Sequence, residues 1–499
     1  MKVYLLHAHK DFDATAPLPP QTEDLMQDLD LDILIRAMSD EDKYLADIAK
    51  SVLFQSLLDR DSIIYRQEVL QDAMDNEQPL RDLYALANEA IEAKRHSWFS
   101  MFGAYPSSIL YGAVRLLQTY VPLLERLREM TRQYQQNFRS RGLRRFCTMV
   151  QEELNDEYMK SLVLYLKELQ FIDGVMISAA LKAGNEPVQY ELRKPHRRDP
   201  NWIRRLFSPR TPSFTFSIDP RDEAGGRALG ELRDRGINYA ANAVAQSADH
   251  IESFFKILKQ ELAFYIGALN LRKKLISLGE PYSFPIISTD PVPTFECSGL
   301  YNICLALVAN KAVVGNTVQA RGKNLAIITG VNEGGKSTFL RSVGISQLML
   351  QAGLFVPAQY FTADIRSGVF THYRRKEDRN LGSGKFDEEL KRMNTIVDNL
   401  GPNSLILFNE SFASTNEREG SEIARHIVSA LIETGAKVFF VTHLYTFANY
   451  FQEQASATTI MLRAERRQDG GRTFRIVMGA PSQHSHGEDL YKQVFAEAL

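Results

Sequence analysis

The amino-acid sequence predicts a multidomain protein: a mostly α-helical region followed by an α/β domain organised round a glycine-rich loop. Three features predict it. Residues 21 to 180 carry helical periodicity with few turn signals. Near residue 286 the pattern changes to short apolar runs alternating with helical segments, and one of those runs leads straight into the turn GVNEGGKS and an apolar-periodic helix. These features place a helical region at 1–285, with a basic insertion at about 184–225, and an α/β domain at 286–499.

Composition narrows the class. A chain of 499 residues has room for roughly two to four domains, each able to bury its own core. Hydrophobic residues at 44% and charged residues at 24% match soluble globular proteins and exclude a disordered or fibrous chain. Lys and Arg total 59 against 61 for Asp and Glu, so any nucleic acid must be held by a local patch rather than by bulk charge. The three cysteines, Cys147, Cys297 and Cys304, form no CxxC pair, which excludes a disulfide framework and a cysteine zinc site. A reducing, cytoplasmic setting is expected. The apolar stretch in MKVYLLHAHKDFD is too short for a signal-peptide core, and no run nears the ~20 apolar residues of a bilayer span, so no membrane partner is expected.

In the helical region, Ser39 and Asp42 fit a capping box ahead of Leu45, Ile48 and Val52. Leu110, Val114, Leu117, Val121 and Leu124 mark a second helix, with Pro122 expected to kink it. Phe146, Val150, Leu154, Tyr158 and Leu162 read as one further stripe. All three are expected to be bundle core rather than ligand sites. Residues 184 to 225 break the pattern with proline, glycine and arginine, and Ile251, Phe255, Leu258, Leu262 and Ile266 restart an amphipathic helix that ends near Gly279.

In the second half, LAIIT (325 to 329), SLILF (404 to 408) and VFFVT (438 to 442) read as buried parallel strands. After the first of them, Gly330 to Thr338 (GVNEGGKST) fits the P-loop pattern GxxxxGK followed by Ser or Thr. Glycines at 330, 334 and 335 let the backbone N–H groups of the loop, with Asn332 among them, wrap a nucleotide's phosphates. Lys336 would neutralise the β and γ oxygens and Ser337 would ligate Mg²⁺. The helix beginning at Ser337 would point the positive end of its dipole at the anion, with Thr338 also expected to bind the nucleotide.

Phosphoryl transfer to water also needs acidic residues at the end of a neighbouring strand. LILFNES supplies that strand, with Glu410 as the candidate catalytic carboxylate and Asn409 where a metal-associated aspartate is usual. An asparagine carbonyl can accept from a Mg²⁺-bound water but adds no negative charge, so slow hydrolysis or weakened metal binding is expected. His443, directly after VFFVT, would reach the γ-phosphate or the attacking water; a purely structural histidine is the alternative.

These motifs carry a family resemblance. ITGVNEGGKSTFLRSVGISQLMLQAGLFVPA closely resembles the phosphate loop and following helix of the MutS DNA mismatch-repair ATPases, the two glycines before Lys336 and the trailing FVPA being distinctive. ESFASTNEREG and THLYTF resemble the segment after that family's second acidic motif and its histidine segment. Val314, Gly315 and Asn316 resemble its nucleotide-facing turn, which implies that Asn316 lies near ATP. Residues 381 to 386 (LGSGKF), followed by Glu389, resemble its signature loop in a form two residues shorter. The resemblance implies an ABC-type ATPase and a homodimer, with ATP and Mg²⁺ between the subunits and Ser383 reaching the γ-phosphate in trans; a flexible Gly-Ser loop is the alternative. DRDSIIYRQEVLQDAMDNEQPLRDL and ELAFYIGALNLRKKLISLGEPYSFP resemble the helical core and lever region that joins the family's ATPase to its DNA clamp. Because the chain starts almost directly with that core, a member without the N-terminal mismatch-reading domain and without a C-terminal nuclease-like extension is expected.

The insertion suggests where DNA would be held. Between Arg193 and Arg210 seven basic residues, Arg197, Arg198, Arg204 and Arg205 among them, stand against Asp199 alone, with Trp202 and Phe207 interleaved. Such a segment suits phosphate contacts with an aromatic able to stack, selecting DNA by structure rather than sequence. A solvated basic loop is the alternative. The leading expectation is an ATP-dependent DNA-binding protein acting on mismatched, branched or duplex DNA. A nucleotide-gated scaffold that barely hydrolyses ATP, and another ABC-type ATPase, are the competing ones.

Overall fold

A computed structural model describes residues 1–97, 105–172, 174–194, 214–375, 384–467 and 471–481. The chain divides into two compact units, one of Met1–Val3, Arg81–Asn137 and Arg144–Lys259, the other of Tyr4–Leu80, Phe138–Leu143 and Gln260–Leu499. Compactness thus divides the chain differently from composition, because the early helices of the second unit pack on elements that come late in the sequence.

The first unit is helical. It holds Pro106–Tyr134, Asp156–Glu168, most of Glu77–Ser97 and Arg141–Glu153, and the first part of the 56-residue helix Glu223–Leu278. Leu110, Val114, Leu117 and Leu124 are buried as their spacing predicts, and the helix continues through Pro122. Tyr120 packs on Phe255 and Phe146 stacks on Phe254, with ring centroids 5.9 and 6.5 Å apart. Beside them Glu252 pairs with Lys94 and Lys256. At the start of the insertion lies a feature the sequence did not announce, an antiparallel hairpin whose first strand, Met176–Leu181, precedes the insertion and whose second, Pro187–Arg193, lies within it. Pro187–Arg193 alternates half-buried Val188, Tyr190 and Leu192 with exposed Gln189 and Glu191, but Met176–Leu181 carries no such alternation, so the pair does not stand out as a hairpin.

Three helix boundaries differ from expectation. Ser39 does not cap; it ends the helix Leu31–Ser39 and its Oγ donates to Arg36 O at 3.2 Å. Asp42 caps Lys43–Phe54, its carboxylate accepting from Tyr44 N at 2.7 Å and Leu45 N at 3.2 Å, since a charged acceptor is the better partner for N-terminal N–H groups. The stripe from Phe146 to Leu162 is two helices, because extended Asn155 caps the second by accepting from Tyr158 N at 2.9 Å. The helix expected from Ile251 starts at Glu223, across a stretch whose four glycines and many exposed polar residues mask its helical pattern.

The second unit is built on a six-stranded sheet ordered Arg472–Met478, Thr459–Arg466, Leu325–Thr329, Lys437–Val441, Leu405–Asn409, Val369–Tyr373. Every pairing is parallel except that of the edge strand Arg472–Met478. Leu325–Thr329 and Lys437–Val441 are buried along their whole length, which is why they read as continuous apolar runs. Ile327, Phe408, Phe440 and Phe447 centre the core beneath them. A second sheet of four strands, ordered Ile286–Ile287, Tyr360–Ala363, Phe295–Leu300, Asn316–Gln319, completes the unit. The helix Lys336–Gln351 is buried almost throughout, and the N-terminal helices reach its end: Leu57 N donates to Gln351 O at 2.9 Å and Arg66 Nη1 to Ala352 O at 3.0 Å. Among the described residues no helix is long and apolar enough to cross a membrane.

Candidate functional site

Register brings the sequence-predicted residues together. Val441 pairs with both Ile328 and Asn409, so the parallel strands end level, and their next residues, Thr329 with Gly330, Glu410, and Thr442 with His443, share one rim of the sheet. In an open α/β sheet, the carboxyl ends of the strands are where ligands bind.

The loop from Gly330 to Gly335 depends on its glycines. Gly330 (φ 115°) and Gly335 (φ 93°) occupy left-handed backbone, and a Cβ on Gly334 would stand 2.7 Å from Ala464 Cβ. A Cβ on Gly335 would stand 3.2 Å from Phe474 O. Lys336 opens the helix with its side chain folded back over the loop, Nζ donating to Gly330 O and Val331 O, both at 2.9 Å. Burial lowers its pKa to about 8, while the nearby Glu410 carboxylate works the other way.

The next residue brings two side-chain oxygens together. Ser337 Oγ donates to Asn409 Oδ1 at 2.8 Å, so the two residues expected to serve Mg²⁺ touch each other. Glu410 Oε1 lies 3.3 Å from His443 Nε2, and this hydrogen bond holds the carboxyl below the usual carboxylate range against the opposing effect of burial. Because Nε2 carries the proton aimed at Glu410, the 3.5 Å between it and Lys336 Nζ is proximity rather than a bond. A cation, a hydroxyl with an amide, and a carboxylate with an imidazole thus face one rim. Groups of three or more His, Cys, Asp or Glu able to hold a metal by themselves are absent among the described residues.

Asn316 takes a different partner. It is buried, and its Oδ1 accepts from Ile476 N at 2.7 Å. Asn332 and Thr338 lie in the loop and the first turn of its helix. Ser383 and the basic residues Arg197, Arg198, Trp202, Arg204 and Arg205 lie outside the described residues. Sequence reasoning missed the edge strand Arg472–Met478, two of whose alternate residues meet the loop, Arg472 pairing with Glu333 and Phe474 closing on Gly335, while the next, Ile476, holds Asn316 of the second sheet. The alternation in RTFRIVM was its one visible signal.

Comparison with known proteins places the two halves separately. Residues 58–278 match the family described as MutS2 N-terminal domain, and residues 326–495 match MutS domain V. The chain is 36% identical over 145 residues to MutS protein homolog 4 of Mus musculus, covering 29% of this chain and 15% of that protein. It is 26% identical over 267 residues to the DNA mismatch repair protein MutS of Streptococcus mutans, 52% of this chain and 31% of that one. The MutS protein of Thermotoga neapolitana is 34% identical over 172 residues, 34% of this chain and 21% of that one. The matched part therefore spans less than a third of the length of each of these three relatives.

Proposed function

The chain belongs to the MutS family, and from that premise we propose that it binds and hydrolyses ATP with Mg²⁺ as a homodimer and couples this cycle to gripping DNA. The observation that carries the reading is the convergence of Lys336, the Ser337–Asn409 pair and the Glu410–His443 pair at the carboxyl ends of adjoining parallel strands. The named relatives are MutS proteins, two of them DNA mismatch repair proteins, which supports DNA as partner and repair as setting.

Each residue has a role in this reading. Lys336 carries its charge to the β and γ oxygens, and the glycines let the loop's N–H groups surround them. Ser337 Oγ and Asn409 Oδ1 fit Mg²⁺, a hard cation that takes oxygen ligands and keeps several waters. When bound, the ion would neutralise charge on the phosphates. Glu410, ionised through its hydrogen bond from His443, orients a water for in-line attack, and His443 is within reach of the γ-phosphate. Ser383 would complete the partner's site, and Arg197, Arg198, Trp202, Arg204 and Arg205 would supply charge and stacking to DNA. Steep salt dependence of DNA binding, lost when the four arginines are neutralised, is the expected result, measured on homoduplex, mismatched and junction DNA with and without ATP. Discrimination among those forms identifies the substrate class; binding unchanged by the substitutions removes the DNA role of the insertion.

A second reading has one observation in its favour. Asn409 gives the Ser337 hydroxyl a neutral partner, so the metal position lacks a carboxylate on that strand, as suits a scaffold gated by nucleotide binding. Phosphate release measured for the wild type and for Glu410→Gln decides: equal near-zero rates favour the scaffold, and a rate lost only in the variant favours the ATPase.

A further inference from the structure

The turn that carries Glu410 has an unusual backbone. Glu410 (φ 55°) and Phe412 (φ 61°) both occupy the left-handed region, which side chains other than glycine rarely adopt and which persists only where the surroundings enforce it. One residue of the neighbouring strand Val369–Tyr373 supplies that enforcement. Between the two, fully buried Ser411 places its Oγ 2.5 Å from His372 O, to which it donates, and 2.7 Å from His372 Nδ1. The imidazole of His372 also stacks on the Phe412 ring, with centroids 5.3 Å apart and planes inclined by 18°. Both residues that follow Glu410 are therefore held by the same residue, Ser411 by the His372 backbone carbonyl, which takes its one hydroxyl proton, and Phe412 by the imidazole ring.

The tautomer follows from the partners. His372 Nε2 lies 2.9 Å from Glu389 O, which can only accept, so Nε2 carries the proton and Nδ1 is left as an acceptor. Burial lowers the pKa of this imidazole to about 4, so it stays neutral and keeps this pattern near neutral pH. Two further contacts fix the ends of the turn. Glu410 N donates to Val441 O at 2.9 Å, and Phe412 O packs so closely on Gly420 that a Cβ there would come within 2.3 Å. Glu389 stands on the helix Lys385–Asp398, and its own carboxylate accepts from Ser414 at 3.0 Å, further along the same turn.

We propose that His372 and Ser411 are positioning residues for Glu410, holding the left-handed turn in which its carboxylate faces His443 and the phosphate loop, and tying that turn to the helix that carries Glu389. Neither touches the reacting groups. Their effect passes through the direction of one carboxylate, and the proposal rests on the ATPase reading of the site.

The test uses the full chain and compares Ser411→Ala, Ser411→Thr and Glu410→Gln with the double variant. Ser411→Ala is expected to lower kcat for ATP hydrolysis by about 10- to 100-fold, as a slightly misplaced carboxylate would, with nucleotide affinity within about twofold of wild type. Ser411→Thr, which keeps the hydroxyl, restores most of the rate. In the Glu410→Gln background Ser411→Ala causes no further loss, an outcome that general damage to the fold would not produce. An unchanged kcat in Ser411→Ala, a further loss of the same size in the double variant, or an equal fall in nucleotide affinity each overturns the proposal. Should Ser411→Ala fail to fold, Ser411→Cys and His372→Asn are judged by the same criteria. Wild-type protein that binds ATP and does not hydrolyse it overturns the ATPase reading itself, and the positioning role with it.

Discussion

Two buried lysines sit at opposite ends of the same sheet, and only one stands among the groups of the proposed site. Lys336 lies at the carboxyl ends of the strands with its pKa lowered to about 8, and Lys437 opens its strand at the other end with its pKa lowered to about 7, both chiefly by burial. Each donates to two backbone carbonyls, Lys336 to Gly330 and Val331, Lys437 to Ala320 at 3.3 Å and Lys323 at 2.9 Å. What separates them is the company. Lys336 faces Glu410 and His443 across a glycine loop that leaves backbone N–H groups able to turn towards an anion. Lys437 sits over the Phe295 ring near Arg366 and Asp364, where no such loop approaches it. A buried, titration-shifted lysine does not mark a binding site; convergence of an anion-binding loop, oxygen ligands and a carboxylate does.

The sharpest way to break this contrast is at the lysines themselves. Lys336→Ala is expected to weaken Mg²⁺–ATP binding by about 100-fold or more, the scale of two lost charge-assisted hydrogen bonds, whereas Lys437→Met leaves it within about twofold. Equilibrium titration with a fluorescent ATP analogue reads both. Glu410→Gln should keep that affinity while phosphate release falls by about 100-fold, the usual scale for a lost general base.

The pH dependence sharpens the contrast further because binding and stability move in opposite directions. Phosphate binding needs Lys336 charged, so affinity should be full below pH 8 and fall by about tenfold per pH unit above it. For stability, both lysines have folded pKa values below the unfolded value of 10.5, so the unfolded chain holds more protons between about pH 7 and 10.5 and stability rises across that window. Chemical denaturation at pH 7 and pH 10 should show the rise, diminished in Lys437→Met. That variant also removes the donor to the Lys323 carbonyl, while Ala320 O keeps its bond from Lys323 N, and it removes a buried charge, for a net change of about 1–3 kcal/mol at pH 7. The smallest effect belongs to Arg472→Ala. Its ion pair is with an exposed Glu333, whose solvation screens it although Arg472 itself is half-buried, so the expected change in unfolding free energy is under about 1 kcal/mol.

What the sequence revealed of this arrangement follows the same division. Leu325–Thr329, Leu405–Asn409 and Lys437–Val441 were legible because strands buried on both faces must be continuously apolar, and the loop because its glycines are demanded by backbone geometry. Glu410 and His443 were legible from their place at strand ends. The hairpin Met176–Leu181 with Pro187–Arg193 was not, since only its second strand alternates and its first carries no regular burial pattern. His372 and Ser411 are 39 positions apart and meet only through pairing of adjacent strands, and Lys437 gives no sign in the sequence that it is buried. Residues that act through long-range packing leave no local pattern to read.

The central claim is that the loop closed by Lys336 wraps a nucleotide's phosphates. Titration of the purified chain and of Lys336→Ala and Lys437→Met with Mg²⁺–ATP at pH 7 tests it most directly. Saturable binding by wild type and Lys437→Met, lost in Lys336→Ala, is the result the account predicts; no binding by wild type, or equal binding by Lys336→Ala, would contradict it.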